Sequence, residues 1–343
     1  MSKLTLKKIA AHFRVSISTV SKSLHDSHEI SAQLKTRIQK FAKDNHYKPN
    51  KVALNLLNRS TKTIGVVIPN ILNYFFVKVL YGIEKVADER GYSIISCISN
   101  ESLVKETYTL DFLSTGSVDG IIISSTAEES QLQEHAEHLK EFSANQIPLV
   151  MFDRVTDLVE CDKIIVDDFE AGYKAAKYFL DTGCRTIAIV TPINDSIISR
   201  LRIDGYKKAL EERKIPFDQK LIVPINEKDD LDLTMSFLLN YKKIEGIMAL
   251  DEITAVEVMS IVKTRGYQIP KDVSIIGFTN GVLSSNVSPT LTMVSQHGAY
   301  IGETCAQLLI DRIENKNDEQ PFVTKVVKTS LIVRESTRKL PMA

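Results

Sequence analysis

From residue 63 to residue 278 the chain alternates short apolar runs with longer stretches of helical periodicity. Thr63-Ile64-Gly65-Val66-Val67-Ile68 is the first run. A segment apolar at nearly every position suits a strand buried on both faces, as in a parallel sheet covered by helices. Parallel strands also need a long crossover, and the helical stretches supply it. This alternation predicts a doubly wound α/β architecture. The first series reads strand 63–68, helix 75–89, strand 92–98, helix 102–115, strand 119–124, helix 130–144 and strand 148–152. A second series reads strand 163–167, helix 169–182, strand 185–190, helix 196–213, strand 220–224, helix 231–242, strand 245–250, helix 252–265 and strand 273–278. Two such lobes in tandem form a cleft at the carboxyl ends of their strands, where α/β sheets bind ligands. Helix 298–314 and strand 325–333 are expected to return across the hinge.

The first sixty residues are of another kind. They hold twelve Lys or Arg against three Asp or Glu, whereas the 343-residue chain as a whole carries 43 of each. A compact basic segment on an acidic body is the electrostatic footprint of a nucleic-acid-binding head. Thr5 can cap a helix over 6–13, with Leu6, Ile9, Ala10 and Phe13 inward. Arg14-Val15-Ser16 is then a turn, Ser16 a second cap and 17–24 a second helix, the spacing of a helix-turn-helix. Val20 and Leu24 share its inner face, and Ser18, Thr19, Ser21 and Lys22 the outer one. Small polar side chains let a helix approach a phosphate-lined groove, and a Lys can donate to guanine O6/N7. Ser31 can cap a third helix over 32–45, whose Leu34, Ile38 and Phe41 close a small core. After Pro49, Asn50 can cap a short helix with Ala53, Leu56 and Leu57, too short to persist unaided in water.

Thr5-Leu6-Lys7-Lys8-Ile9-Ala10, Val15-Ser16-Ile17-Ser18-Thr19-Val20-Ser21-Lys22, Tyr47-Lys48-Pro49-Asn50 and Ala53-Leu54-Asn55-Leu56 resemble the headpiece and hinge of the lactose-repressor (LacI/GalR) family of bacterial transcription regulators. The resemblance implies that the second helix lies in the major groove. It also implies that paired hinge helices enter the minor groove, with Leu56 as the wedge and Ala53 beside it; apolar wedges unstack a base step and bend the duplex. Ser16, Thr19, Ser21, Ser31 and Asn50 would hold phosphates. Ile17, Ser18, Lys22 and His25 would face base edges, and Thr5 and Leu6 belong to the same interface. Arg14 stands where the family has Gly, Lys22 where it has Arg, and His25 where Asn is common.

The likeness continues through the body. Asn73-Tyr74-Phe75-Phe76 is similar to the family's N-P-F-F, Phe152-Asp153-Arg154 to its F/V-D-R, and Val166-Asp167-Asp168 to its V-D-N. Arg202-Ile203-Asp204-Gly205-Tyr206, Pro270-Lys271-Asp272-Val273-Ser274-Ile275-Ile276-Gly277-Phe278 and Leu291-Thr292-Met293-Val294-Ser295-Gln296 also resemble family segments. The implied fold is an all-α helix-turn-helix headpiece plus two doubly wound lobes of periplasmic-binding-protein type. The implied divisions are headpiece 1–46, hinge helix and linker 47–61, and an effector-binding and dimerisation body 62–343. Within the body the N-lobe would be 62–162 with 294–322, and the C-lobe 163–291 with 323–338. The implied effector site takes Asn73, Phe75, Phe76, Arg154, Asp167, Arg202, Asp251, Thr279, Asn280 and Gln296, with Arg202 as anchor. Aromatic faces suit the C–H face of a sugar, and Arg and Asp bind hydroxyls or a carboxylate. Thr279-Asn280 replaces a frequent acidic pair, which with Arg154 and Arg202 tilts the expectation toward a sugar acid or sugar phosphate.

Chemistry of other kinds has little support. There is no G-x-S-x-G, P-loop or GxGxxG opening a helix. His135 and His138 lie beside Glu134 and Glu137, which reads as a solvated polar face and not a metal site. Cys97, Cys161, Cys184 and Cys305 read as reduced thiols. The start has no secretory pattern and no stretch is apolar enough to span a membrane, so a cytoplasmic protein is expected. The expectation is therefore a non-enzymatic repressor, without cofactor or metal. It would bind a near-palindromic operator as a homodimer or tetramer, controlled by a small carbohydrate-derived effector. Alternatives are a catabolite-control-type regulator with a protein co-regulator and, more remotely, a soluble sugar-binding protein.

Overall fold

A computed structural model describes residues 4–47, 60–127, 131–145, 147–192, 196–225, 230–315 and 320–340. The chain forms two compact units, Met1–Thr61 and Lys62–Ala343.

In the first unit, helices α1 (Leu6–Phe13), α2 (Ile17–Leu24) and α3 (Ala32–Asp44) pack around Ile9, Ala10, Val20, Ile38 and Ala42. Phe13 and Phe41 meet edge to face at 5.4 Å and seal one side of this core. Thr5 Oγ1 accepts from the Lys8 N–H at 3.3 Å, and Ser16 Oγ from the Thr19 N–H at 3.0 Å, so both predicted caps form. Arg14 occupies the left-handed region at φ 55°, a conformation that costs a non-glycine residue roughly 1 kcal/mol. Its N–H still donates to Ala11 O at 3.3 Å and closes the turn. Ser31 stands at the start of α3, but its hydroxyl makes no capping bond there.

The second unit contains two six-stranded sheets. In chain order the elements are β1 (Thr63–Ile68), α4 (Tyr74–Glu89), β2 (Ser93–Ile98), α5 (Leu103–Ser114), β3 (Gly120–Ile123), α6 (Leu132–Ala144), β4 (Leu149–Phe152), β5 (Asp162–Val166) and α7 (Asp168–Asp181). Then come β6 (Ile187–Thr191), α8 (Ile197–Glu212), a 3₁₀ turn (Gln219–Leu221), β7 (Ile222–Pro224), α9 (Leu231–Tyr241), β8 (Gly246–Ala249), α10 (Glu252–Thr264) and β9 (Ser274–Phe278). The chain finishes with α11 (Val282–Asn286), β10 (Thr292–Ser295), α12 (Gly298–Glu314), β11 (Thr324–Val327) and β12 (Ser330–Ile332). The N-lobe sheet has order β11-β5-β4-β3-β1-β2, and the C-lobe sheet β12-β10-β9-β8-β6-β7. Each is covered on both faces, with separate apolar clusters under α4 and α12, α5 and α6, α7 and α8, and α9 and α10.

The predicted lobe boundaries need three corrections. The strand near 163–167, expected to open the C-lobe, is β5, which pairs with β4 and belongs to the N-lobe sheet. The chain therefore crosses at Asp167. The single return strand expected over 325–333 is two strands: β11 lies parallel to β5 in one sheet, and β12 antiparallel to β10 in the other. Finally, β10, at the edge of the predicted N-lobe segment 294–322, pairs with β9 in the C-lobe, so that segment crosses only at Gln296-His297. Apolar patterning marks a strand but does not say which sheet accepts its backbone N–H and C=O groups.

Three crossings thus join the lobes, at Asp167, at Gln296-His297 and at Lys328-Thr329, and they are laced together. Asp167 Oδ1 accepts from the Thr329 N–H at 2.8 Å, and His297 Nε2 lies 3.0 Å from Ser330 Oγ. In both lobes a glycine lets the pair of helices beside the hinge approach closely. A Cβ at Gly82 would overlap the Ala299 carbonyl, and one at Gly172 the Arg202 carbonyl. The second approach brings the start of α7 against α8, where Arg202 meets Asp168.

Candidate effector cleft and DNA-reading helix

On α2, Ile17 and Ser18 are exposed, and Thr19 and Ser21 half-buried. Ser16 Oγ and Thr19 Oγ1 lie 2.8 Å apart, so the two hydroxyls expected to hold a phosphate stand together. Lys22 is ion-paired with Glu29, and His25 Nδ1 lies 2.8 Å from the Ser21 carbonyl oxygen. Asn50, Ala53 and Leu56 fall outside the described residues.

In the body, Arg202 is buried near the start of α8. Its Nε donates to Asp168 Oδ1 at 2.8 Å, its Nη1 donates to the Leu250 carbonyl at 3.0 Å, and its guanidinium lies 4.3 Å from the centre of the Phe278 ring. Opposite bonds and a ring fix its plane, which suits directed hydrogen bonding. Arg154, at the end of β4, makes a two-pronged pair with Glu101, Nη1–Oε2 at 2.5 Å and Nη2–Oε1 at 3.1 Å.

Near both stands Asp153, which belongs to the Phe152-Asp153-Arg154 motif but not to the expected effector site. Its backbone is left-handed, φ 59°. Burial, then the Asp168 carboxylate, push its carboxyl up to about 7, against the pull of Arg154 and Arg202. Asp153 Oδ1, Arg154 Nε and Ser124 Oγ are all buried without a hydrogen-bond partner among the described residues. They sit at the carboxyl ends of the adjacent strands β3 and β4. Buried polar atoms normally find partners, so these three are candidates for bonds that the described residues do not supply.

Other residues expected at the effector site carry bonds or packing within the fold. Asp167 ties the hinge to Thr329, and it is Asp168 that meets Arg202. Asp251 caps α10, accepting from the Thr254 N–H at 2.9 Å and the Thr254 hydroxyl at 2.6 Å. Asn73 caps α4 through the Phe75 N–H at 3.0 Å. Phe75 and Phe76, expected to offer open ring faces, are only 3% and 2% exposed in the N-lobe core. Thr279, itself at φ 68°, donates to Gln296 Oε1 at 2.9 Å, so these two do meet beside the hinge. Asn280 Oδ1 accepts from Arg334 Nη2 at 2.7 Å.

His135 also departs from the solvated face predicted for it. It is buried, with Nε2 2.8 Å from Glu106 Oε1, because α6 turns it inward onto α5. Glu106 is itself fully buried and accepts from the Ser125 hydroxyl at 3.0 Å, the Thr126 N–H at 2.7 Å and the Thr126 hydroxyl at 2.8 Å. It pins the loop that carries Ser124.

Comparison with known proteins agrees with both units. Residues 5–50 match the family described as bacterial regulatory proteins, lacI family, and residues 176–337 a periplasmic binding protein-like domain. The HTH-type transcriptional regulator DegA of Bacillus subtilis (strain 168) is 29% identical over 343 residues, covering 98% of this chain and 99% of its own. The chain belongs to the lactose-repressor (LacI/GalR) family. This family member is thus a DNA-binding transcriptional repressor with a ligand-binding body. The lac repressor dimer bound to operator and an anti-inducer shares the fold of this LacI-family chain, with TM-score 0.83 and 20% identity over 98% of this chain and all of that one. A LacI family regulator from Enterococcus faecium, solved with bound ribose, is 29% identical, with TM-score 0.69 over 81% of this chain and all of that one. Among the described residues no helix is long and apolar enough to cross a membrane.

Proposed function

We propose that this repressor is controlled by a neutral sugar held between its lobes. The observation that carries the reading is the set of unpartnered buried atoms Asp153 Oδ1, Arg154 Nε and Ser124 Oγ, with Asp153 near enough to the Arg202–Asp168 pair to feel both charges. A carboxyl oxygen, a guanidinium N–H and a hydroxyl offer both acceptors and donors, which a polyol's hydroxyls match one for one. Leaving such groups unmatched costs about 1–3 kcal/mol each, so a ligand that satisfies them is selected over one that lacks a hydroxyl. The anionic sugar anticipated from Arg154 and Arg202 is disfavoured here. Glu101 and Asp168 already neutralise the two guanidinium groups. The Enterococcus faecium relative binds a neutral pentose, in keeping with this reading.

The wider assignment follows the family. The protein acts in the cytoplasm as a homodimer on a near-palindromic operator, two heads reading two half-sites. Edge strand β2 is flanked by α4 and α5, which expose Tyr81 at 60% and Tyr108 at 74%, together with Phe112. A second copy covering this end of the N-lobe would bury them. Ser16, Thr19, Ser21, Ser31 and Asn50 hold phosphates, Ile17, Ser18, Lys22 and His25 face bases, and Leu56 kinks the operator centre. Closure of the lobes on the sugar shifts the paired N-lobes and so the hinge helices, to the extent that the sugar prefers one state.

Isothermal titration with ribose, other neutral pentoses and hexoses, and their acids and phosphates tests the effector class. Binding of a neutral sugar, lost in Asp153→Ala, is expected. Binding of only acids or phosphates contradicts it.

A further inference from the structure

Lys22 is the single cation on α2, and it is paired with Glu29 on the loop that leads to α3. That loop is built and not loose. The Ser27 N–H donates to the Lys22 carbonyl at 3.0 Å, and the Glu29 N–H to Ser27 Oγ at 3.3 Å. Gln39 Nε2 donates to the Ser23 carbonyl at 2.9 Å and ties α3 to the end of α2. Of the three acids in the first sixty residues, Asp26 is bonded to Lys35, and Glu29 is the one set against the α2 cation. The side chains of Lys22 and Glu29 are 44% and 54% exposed, so their attraction adds little to folding. A carboxylate beside the face that meets a polyanion also weakens DNA binding. Its use must therefore lie elsewhere.

We propose that Glu29 is a specificity-determining residue that holds Lys22 for a guanine edge and keeps it off phosphates. Lys is a point charge on a flexible stem and, unrestrained, neutralises any phosphate within reach. Its ammonium has three N–H donors. Guanine O6 and N7 take two, leaving one for Glu29, so base contact and ion pair coexist. A phosphate in the same place brings its own charge up to Glu29 and is repelled. Glu29 thus penalises sequence-independent contact more than the specific one. The inference rests on α2 being the groove-facing helix.

The test uses the full chain and two probes: short duplexes selected by the wild-type protein from a randomised library, and scrambled duplexes of the same composition. Affinities are measured across a salt series for wild type, Glu29→Gln, Lys22→Ala and the double variant. Glu29→Gln is expected to tighten scrambled DNA by roughly three- to tenfold and steepen its salt dependence by about one charge. Selected DNA should gain less, so discrimination falls, and the effect should vanish in the Lys22→Ala background. Equal tightening on both probes, no change, or persistence of the effect without Lys22 overturns the proposal. If Lys22→Ala alters neither affinity, the groove reading of α2 fails first and the proposal with it.

Discussion

The backbone N–H of Thr329 donates to Asp167 Oδ1 at 2.8 Å, so two of the three crossings between the lobes are joined by one hydrogen bond. Lys174 Nζ lies 3.6 Å from the other carboxylate oxygen, and the carboxylate is largely withdrawn from solvent. Asp167 is therefore a hinge fastener. Any motion that opens or closes the cleft must carry this bond along or break it.

Asp167→Ala leaves the Thr329 N–H without its acceptor and is expected to cost about 1–3 kcal/mol of stability. Urea denaturation measures it. An unchanged midpoint with loss of sugar binding would instead make Asp167 a ligand contact, as the sequence alone suggested.

Arg202→Ala strands a buried Asp168 carboxylate, and breaking such a pair costs roughly 3–5 kcal/mol. The variant should melt earlier and lose its effector response while the head still binds DNA. Arg202→Ala with Asp168→Asn should recover most of the stability but not the response. A normal response in that double variant would clear Arg202 of its anchoring role.

Asp153 gives the cleft a pH dependence with a definite sign. Its folded value, about 7, lies above the ordinary 3.8, so its contribution to stability is present below the ordinary value and lost as pH rises through about 7. A sugar hydroxyl donating to Oδ1 favours the carboxylate form. Sugar affinity should therefore rise about tenfold between pH 6 and pH 8. Titration calorimetry at both values checks this, with Asp153→Asn expected to flatten the profile. An affinity that falls over that range would mean that the protonated carboxyl donates to the ligand.

Leu56→Gly removes the proposed wedge. It should weaken binding to selected DNA strongly and leave scrambled DNA nearly untouched, as anisotropy titrations would show. Equal losses on both would reject wedging.

The sequence made much of this legible. Helices α1 and α2 are where the caps Thr5 and Ser16 put them, because a cap acts locally on the next few N–H groups. Arg202 stood out through its motif, and the fold buries it against Asp168; its part as an effector anchor is a proposal. What escaped depended on tertiary pairing. Nothing in Lys163-Ile164-Ile165-Val166 says that it hydrogen-bonds to β4, so the first crossing was misplaced. That Asp168 and not Asp167 meets Arg202 was hidden for the same reason, since one carboxylate faces the hinge and its neighbour α8. Asp153 was overlooked because its distinguishing property, an oxygen buried without a partner, belongs to the packing around it. His135 was misread because its polar sequence neighbours gave no sign of Glu106 waiting on α5.

The most direct test of a sugar-controlled repressor is fluorescence anisotropy of the full protein on a selected palindromic duplex. Ribose and other neutral sugars would be titrated into the complex beside their acids and phosphates. The account predicts that a neutral sugar shifts DNA affinity in one direction or the other, and that Arg202→Ala with Asp168→Asn abolishes the shift. Indifference to every neutral sugar, with a response to an acid, a phosphate or a protein co-regulator instead, would contradict it.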